Sequence, residues 1–299
     1  MKILVTGSEG LIGASVCKNL KKLKIDPVHF DKKFSLDHPY NGDILNKKKL
    51  EAAVADCAGI IHLAAVSRVI WGEQNPELCW KTNYEGTLSV IESALSSFKS
   101  PWILYASSRE VYGNPPILPA TEETPYDPIN IYGESKTEAE KTILAARKKG
   151  LNTAIVRYSN VYGSLHDHHD RVIPAFCKAA ATGSPIRVDG SSHSFDFTYI
   201  DDVVEGTLKV VSQLVEGKDQ LPPFHFTTGR ETTLGEAAML ANKAGKKDSK
   251  IVEALPRNYD VPNFCGDSSK TRTLLGWEQK ISIEEGIERL TKLFQQEYS

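Results

Sequence analysis

The chain has 299 residues, enough to bury a substantial core in one large domain or two smaller ones. At 40% hydrophobic and 25% charged residues it has the make-up of an ordinary globular protein, which excludes disorder and an extended coiled coil. Its 36 basic residues are matched by 38 acidic ones, a formal net charge of -2, so neither nucleic acid nor anionic lipid is an expected partner.

The opening MKILVTG reads directly as a strand without a signal-peptide h-region, and no apolar run reaches the length of a bilayer. A cytoplasmic protein is expected. The five cysteines, Cys17, Cys57, Cys79, Cys177 and Cys265, are scattered and odd in number, as suits reduced thiols rather than zinc or redox pairs.

In chain order, KILVTG, LIGASVCKNLKKL, PVHF, LEAAVADC and GIIHLAA alternate buried strand with amphipathic helix, the rhythm of βαβ units. The helical ELCWKTNYEGTLSVIESALSS, the strand WILYASS, the helix YGESKTEAEKTILAARKK and the strand NTAIVRYS extend the same parallel sheet. Past Gly163 the rhythm changes: HDHHDRVIPAFCKAAATG, a strand at PIRVDG, then FDFTYIDDVVEGTLKVVSQL and SIEEGIERLTKLF. The predicted class is α/β, with a Rossmann-type doubly wound parallel sheet over 1–163 that also receives 195–215. A smaller, mixed substrate-binding lobe covers 164–299. Short Pro/Gly-rich pieces at NPPILP and KDQLPPF are the candidate linkers.

The first strand runs into Gly7-Ser8-Glu9-Gly10-Leu11-Ile12-Gly13 and then a helix. A lone glycine pattern usually means an ordinary tight turn. Between an N-terminal strand and a helix it brings backbone N–H groups against a pyrophosphate. About 20 residues on, Asp31 ends the second strand, where a carboxylate accepts both ribose hydroxyls of NAD and repels the 2'-phosphate of NADP. Lys32 and Lys33 follow at once and offer that phosphate an opposite reading.

Tyr132 and Lys136 stand four apart at the start of a helix, so both project from one face. A phenol with a pKa near 10 becomes a usable base beside an ammonium and a positive nicotinamide ring. Ser108, at the carboxyl end of WILYASS, is placed to hydrogen-bond the substrate oxygen. Alone, the Tyr/Lys spacing is common on helix surfaces; with the glycine loop and Ser108 it forms a specific constellation.

Taken together, the glycine loop, Asp43-Ile44 in GDIL, His62-Leu63-Ala64-Ala65, Asn83 in TNYEGT, SSREVYG, YGESK, RYSNVYG, DFTYIDD and LGW resemble the extended short-chain dehydrogenase/reductase family, in particular its nucleotide-sugar epimerases and dehydratases. The resemblance covers nearly the whole chain. It implies NAD as cofactor, a nucleotide-diphosphate sugar as substrate, and transient oxidation to a ketosugar with Tyr132 as base. It places cofactor contacts at Gly7, Gly10, Leu11, Ile12, Gly13, Asp31, Lys32, Asp43, Ile44 (with Asp43 at the adenine), Leu63, Ala64, Ala65, Asn83, Ser107, Tyr132, Lys136, Tyr158 and Val161. Substrate contacts fall on Ser67, Arg68, Ser108, Arg109, Asn160, Arg171, Val172, Arg187 and Arg257, where a guanidinium can hold the diphosphate bidentately.

The chain departs from that pattern twice. Where 4,6-dehydratases carry Asp and Glu after the hydroxyl residue, it has Arg109 and Glu110, and a permanent cation cannot donate the proton that elimination needs. Glu110 remains a candidate acid or base, as in a decarboxylase. Phe195 stands before Asp196 where the family often has arginine; Arg171 or Arg187 from neighbouring segments could take that contact, or either is equally a solvated surface charge. The run His166 to Asp170 has metal-ligand residue types but reads as a mobile polar loop, because the chemistry needs no metal.

The expected activity is therefore C4 epimerisation, with a decarboxylase, dehydratase or ketosugar reductase as alternatives on the same scaffold. A non-catalytic NAD sensor is the rival from another class, opposed by the joint presence of Ser108, Tyr132 and Lys136. The resemblance also implies a homodimer through ELCWKTNYEGTLSVIESALSS and YGESKTEAEKTILAARKK, with Leu88, Ile91 and Leu95 along the seam.

Overall fold

The computed structural model describes residues 1–245, 247–257 and 261–298. The elements run β1 (Lys2–Thr6), α1 (Leu11–Lys22), β2 (Asp26–Phe30), α2 (Lys47–Val54), β3 (Gly59–His62), α3 (Val69–Gln74), α4 (Pro76–Trp80), α5 (Gly86–Ser96), β4 (Trp102–Ser108), α6 (Ile131–Arg147) and β5 (Thr153–Tyr158). There follow β6 (Asn160–Tyr162), α7 (Val172–Thr182), β7 (Ile186–Asp189), β8 (Ser194–Phe195), β9 (Phe197–Tyr199), α8 (Ile200–Val215), β10 (Phe224–Phe226), β11 (Thr232–Thr233), α9 (Leu234–Gly245), β12 (Ile251–Ala254), α10 (Ser269–Leu275) and α11 (Ile283–Glu297).

The main sheet has the order β10-β5-β4-β3-β1-β2. From β5 to β2 the paired strands are parallel, with Leu4 opposite both Val28 and Ile60, Ile60 opposite Ile103, and Leu104 opposite Ala154. Every residue of β3, β4 and β5 is buried, which explains their unbroken apolar runs: helices cover both faces. Leu4, Ile60, Ile103 and Ile155 pack with Leu50 and Val54 of α2, Val90 and Ala94 of α5 and Ile143 of α6. Strand order reverses at β1, with β2 on one side and β3 on the other, so the crevice for a ligand opens past Thr6 and His62.

The single helix expected over ELCWKTNYEGTLSVIESALSS is divided, for a π-helical turn, Lys81–Glu85, separates α4 from α5. The wider turn buries Thr82 and Asn83 side by side. Of the three residues expected on a dimer seam, Ile91 belongs to the core at 5% exposure, Leu88 is half-buried and Leu95 is 36% exposed.

By compactness the chain falls into two units. The first comprises Met1–Gly113, Thr124–Tyr158 and Val204–Phe224, and the second Asn114–Glu123, Ser159–Val203 and His225–Ser299. In the second unit α7, α9 and α11 pack on one another, while β6 pairs with β9, β7 with β12 and β8 with β11. Asp196, between β8 and β9, accepts the backbone N–H groups of Thr228 and Gly229 at 2.8 and 2.9 Å, and burial pushes its carboxyl up to about 6. All five cysteines are buried and none is in a disulfide. No helix among the described residues is long and apolar enough to cross a membrane.

Candidate active site

The glycine turn is dictated by backbone crowding. Gly7 has φ +71°, and a Cβ there would lie 2.8 Å from the Ala64 nitrogen. A Cβ on Gly13 would lie 2.1 Å from the Gly7 carbonyl oxygen. Only glycine allows α1 to start this close to the end of β1. Gly10 caps α1 without a side-chain bond, so the first-turn amides of Leu11, Ile12 and Gly13 have no capping acceptor from it. The buried hydroxyls of Ser8 and Ser107 make no hydrogen bond within the described residues. An open helix N-terminus and two buried hydroxyls beside a strand switch point are the donor set that a dinucleotide needs.

Asp31 is buried at the tip of β2, and its carboxylate accepts the N–H of Glu9 at 2.9 Å and of Lys33 at 2.9 Å. Lys32 is exposed, and Lys33 Nζ donates to the Glu9 carbonyl at 3.2 Å. Asp43 is exposed and accepts the N–H of Leu45 at 2.9 Å, whereas Ile44 sits in the core, its Cδ1 within 2.4 Å of where a Cβ on Gly86 would be.

A directed chain of hydrogen bonds fixes the end of β3. Thr87 Oγ1 donates to the Asn83 carbonyl at 2.6 Å, leaving it to accept from His62 Nε2 at 3.0 Å. His62 Nδ1 then accepts from Thr6 Oγ1 at 2.8 Å, and Thr6 accepts the Ala64 N–H at 3.2 Å. Burial, helped by Lys136, lowers the imidazole to about 3, so the ring is neutral. Asn83 bonds both the N–H and the carbonyl of Val66, at 2.8 and 3.1 Å, and donates to Ser135 Oγ at 3.0 Å. Ser135 in turn donates to the Tyr132 carbonyl at 2.8 Å. The loop after β3 is thereby tied to the start of α6.

Asn130 begins α6 by accepting the Gly133 N–H at 2.8 Å. Tyr132 is buried with Val66, Val69, Trp71 and Ile131 around it. One turn on, Lys136 is also buried; its Nζ donates to the Ala106 carbonyl at 2.8 Å and lies 4.9 Å from the centre of the Tyr105 ring. Desolvation lowers this ammonium from 10.5 to about 8, against the pull of Cys79 and Glu140. Ser108 stands two residues beyond Ala106, at the end of β4, and its Oγ accepts the Glu110 N–H at 3.2 Å. α6 lies so close to the 3-10 turn after Ser108 that a Cβ on Gly133 would come within 2.5 Å of the Glu110 carbonyl. Lys136 Nζ and Ser108 therefore both stand at the carboxyl end of β4, with Tyr132 one turn before Lys136 on α6.

Arg109, the departure noted in the sequence, and Glu110 are partners. Arg109 Nη2 donates to Glu110 Oε1 at 2.8 Å, and Asn130 Nδ2 to Oε2 at 2.9 Å, with both charged side chains under 10% exposed. Glu110 thus uses both carboxylate oxygens within the protein.

The family model described as NAD dependent epimerase/dehydratase matches residues 3–221. The chain belongs to the NAD-dependent epimerase/dehydratase family. It is 31% identical to a putative UDP-glucose 4-epimerase of Methanocaldococcus jannaschii, over 96% of each chain. It is also 31% identical to UDP-glucuronic acid decarboxylase 6 of Arabidopsis thaliana, over 96% of this chain and 87% of that one. A solved UDP-glucose 4-epimerase from Thermotoga maritima, in complex with UDP-glucose, matches with a TM-score of 0.92 at 27% identity over the full length of both. NAD is the cofactor of this epimerase/dehydratase family, and the open N-terminus of α1 with Ser8 and Ser107 fits it.

The other residues singled out in this family member are more dispersed. Ser67 is exposed, while Arg68 lies 5.0 Å over the Trp71 ring; Leu63, Ala64 and Ala65 form the half-buried loop after β3. Tyr158 directs its hydroxyl to Thr207, at 2.8 Å. In the second unit Asn160 and Val161 lie on β6, and Val172 opens α7. Arg171 pairs with Asp167 at 3.3 Å. Arg187 is a surface cation on β7, 72% exposed and paired with Asp189 at 2.8 Å, because alternate residues of that strand face outward. Arg257 is exposed, and its neighbours 258–260 lie outside the described residues. Phe195 is buried edge-on against Phe197, filling an apolar niche. The side chains of the His166–Asp170 run diverge: His169 bonds the Leu165 carbonyl at 3.1 Å and packs on Phe294, while Asp167 accepts the His168 N–H at 2.8 Å.

Sequence reading passed over Ser8, Thr6, Thr87 and Asn130. Of these, only Asn130 carried a local signal, as an N-cap residue just before a helical run.

Proposed function

We propose that the chain is an NAD-dependent nucleotide-sugar 4-epimerase. Its support is the buried Lys136 ammonium, bonded to Ala106 and standing one turn from Tyr132, with Ser108 two residues beyond Ala106. NAD, held at the open N-terminus of α1, would supply the redox chemistry as acceptor and donor of a hydride. Tyr132 as phenolate takes the proton of the sugar hydroxyl and gives it back; Lys136 holds the phenolate charge, and Ser108 donates to the same oxygen. Loss of the sugar's old configuration requires only that the oxidised sugar be reduced from its other face. Asn160, Val172 and Arg257 are the proposed contacts of the nucleotide-diphosphate part, and the protein acts as a cytoplasmic homodimer.

Engagement of both Glu110 oxygens by Arg109 and Asn130 favours epimerisation over elimination or decarboxylation, each of which would call on that carboxylate. A decarboxylase is the second reading, because Glu110 is present at all. Incubation with UDP-, dTDP-, GDP- and CDP-sugars and product analysis by NMR separates the two: inversion at C4 without net NADH supports the first, and release of carbon dioxide from a uronic acid the second. Tyr132→Phe is expected to lower turnover about 10²- to 10⁴-fold while sparing NAD affinity, since it keeps the ring and removes the proton acceptor. Wild-type turnover in that variant would remove Tyr132 from its role.

A further inference from the structure

A charged hub lies beside the residues of that mechanism without being used by it. Arg157 of β5 and Glu140 of α6 are nearly excluded from water, their side chains 3% and 0% exposed. Arg157 grips the carboxylate as a fork, Nε to Oε1 at 2.9 Å and Nη2 to Oε2 at 2.6 Å. It also donates to Tyr112 Oη at 2.6 Å and to Tyr126 Oη at 2.9 Å, and Tyr126 donates to Glu140 at 2.8 Å. The two phenol rings flank the guanidinium at 5.1 and 5.2 Å.

These partners sit on the segments that carry the reacting groups. Tyr112 closes the 3-10 turn that Ser108 caps. Tyr126 precedes Asn130, the cap of α6, and Glu140 lies one turn beyond Lys136 and two beyond Tyr132. Resting on the epimerase reading above, we propose that Arg157 is a positioning residue, which fixes the helix bearing Tyr132 and Lys136 against the turn bearing Ser108 and holds Glu140 one turn from the Lys136 ammonium.

Removing two ions from water is expensive, and a well-packed apolar pair commonly stabilises as well. Stability alone therefore gives little reason for a buried fork with two further phenol partners. Geometry does, since a displacement of about 1 Å in a reacting group lowers turnover about 10²-fold. The surroundings of Lys136 point the same way. It is faced by the Cys79 thiol from α4, the neutral His62 from β3, the Tyr105 ring from β4, and Tyr132 and Glu140 on its own helix. Glu140 is the carboxylate of that group, and it opposes the desolvation that lowers the ammonium.

Two variants test this in the NAD-loaded protein. Tyr112→Phe removes one hydroxyl from the hub and leaves the fold intact; kcat is expected to fall about 10-fold or more, as for a sub-ångström displacement, with KM for the sugar nearly unchanged. Glu140→Gln is expected to move the Lys136 titration, followed by NMR of isotopically labelled lysine side chains, to lower pH. Wild-type kcat in the first variant, or an unmoved titration in the second, would overturn the proposal. The titration needs no turnover, so it still decides the role of the hub if the sugar chemistry proves to be different.

Discussion

Replacing Glu110 separates a structural carboxylate from a catalytic one. Its two oxygens accept Arg109 Nη2 at 2.8 Å and Asn130 Nδ2 at 2.9 Å, and the paired side chains are 9% and 8% exposed. Glu110→Ala leaves a buried guanidinium without its carboxylate, a loss of about 3–5 kcal/mol for a broken buried pair. The stranded Asn130 amide adds about 1 kcal/mol. At about 2–4 °C per kcal/mol for a chain of roughly this size, Tm should fall on the order of 10 °C. Glu110→Gln keeps an acceptor for Asn130 and loses only the charge, so it should fall by less. Thermal unfolding with and without NAD gives the stability, and turnover per folded molecule gives the chemistry. If the carboxylate is a partner for Arg109, the Gln variant retains turnover within about tenfold of wild type, since it loses none of the 10²- to 10⁴-fold contribution of an acid or base. An unchanged Tm with turnover down by 10²-fold or more would refute the reasoning and favour the decarboxylase.

NAD should bind more tightly than NADP in titration calorimetry, because the Asp31 carboxylate repels a 2'-phosphate; the reverse order would assign Lys32 or Lys33 to that phosphate. Lys136→Met should abolish most turnover yet raise stability at pH 7. The folded protein holds this ammonium at about 8 against an ordinary 10.5, so burying the charge costs stability below pH 8, and the cost is relieved as pH rises from 8 towards 10.5. The advantage of the methionine variant should therefore shrink across that window in denaturant titrations, and an advantage independent of pH would contradict the assignment. Light scattering at micromolar concentration should report a dimer, with exposed Leu95 at the seam; a strictly monomeric mass would leave Leu88 and Leu95 as ordinary surface.

The sheet was legible because its strands are buried on both faces, so apolar runs such as Ile3 to Val5 and Ile103 to Tyr105 stand out without any knowledge of contacts. The glycine turn and the Tyr132/Lys136 spacing were equally local. What escaped depends on partners far away in sequence. The π-turn is anchored by Asn83 reaching back 17 residues to Val66, which no periodicity announces. Strands β8 and β11 have two residues each, too few to alternate. Arg109 was read as a departure from a pattern and Glu110 as a candidate acid or base, although adjacency and opposite charge already allowed them to satisfy one another. For Arg187, residue type alone left an anion contact and a solvated charge equally open; on β7 it is exposed and paired with Asp189.

The two backbone bonds to Asp31 bear on any attempt to re-engineer cofactor choice. Its oxygens hold the amide of Glu9 in the glycine turn and the amide of Lys33 at the mouth of the next loop. A substitution that removes the negative charge to admit a phosphate also unfastens both segments. If Asp31 sets cofactor choice as predicted above, selectivity and loop order are vested in one side chain, and a designer who exchanges it must supply a new acceptor for those two amides before the swapped cofactor can find an ordered seat.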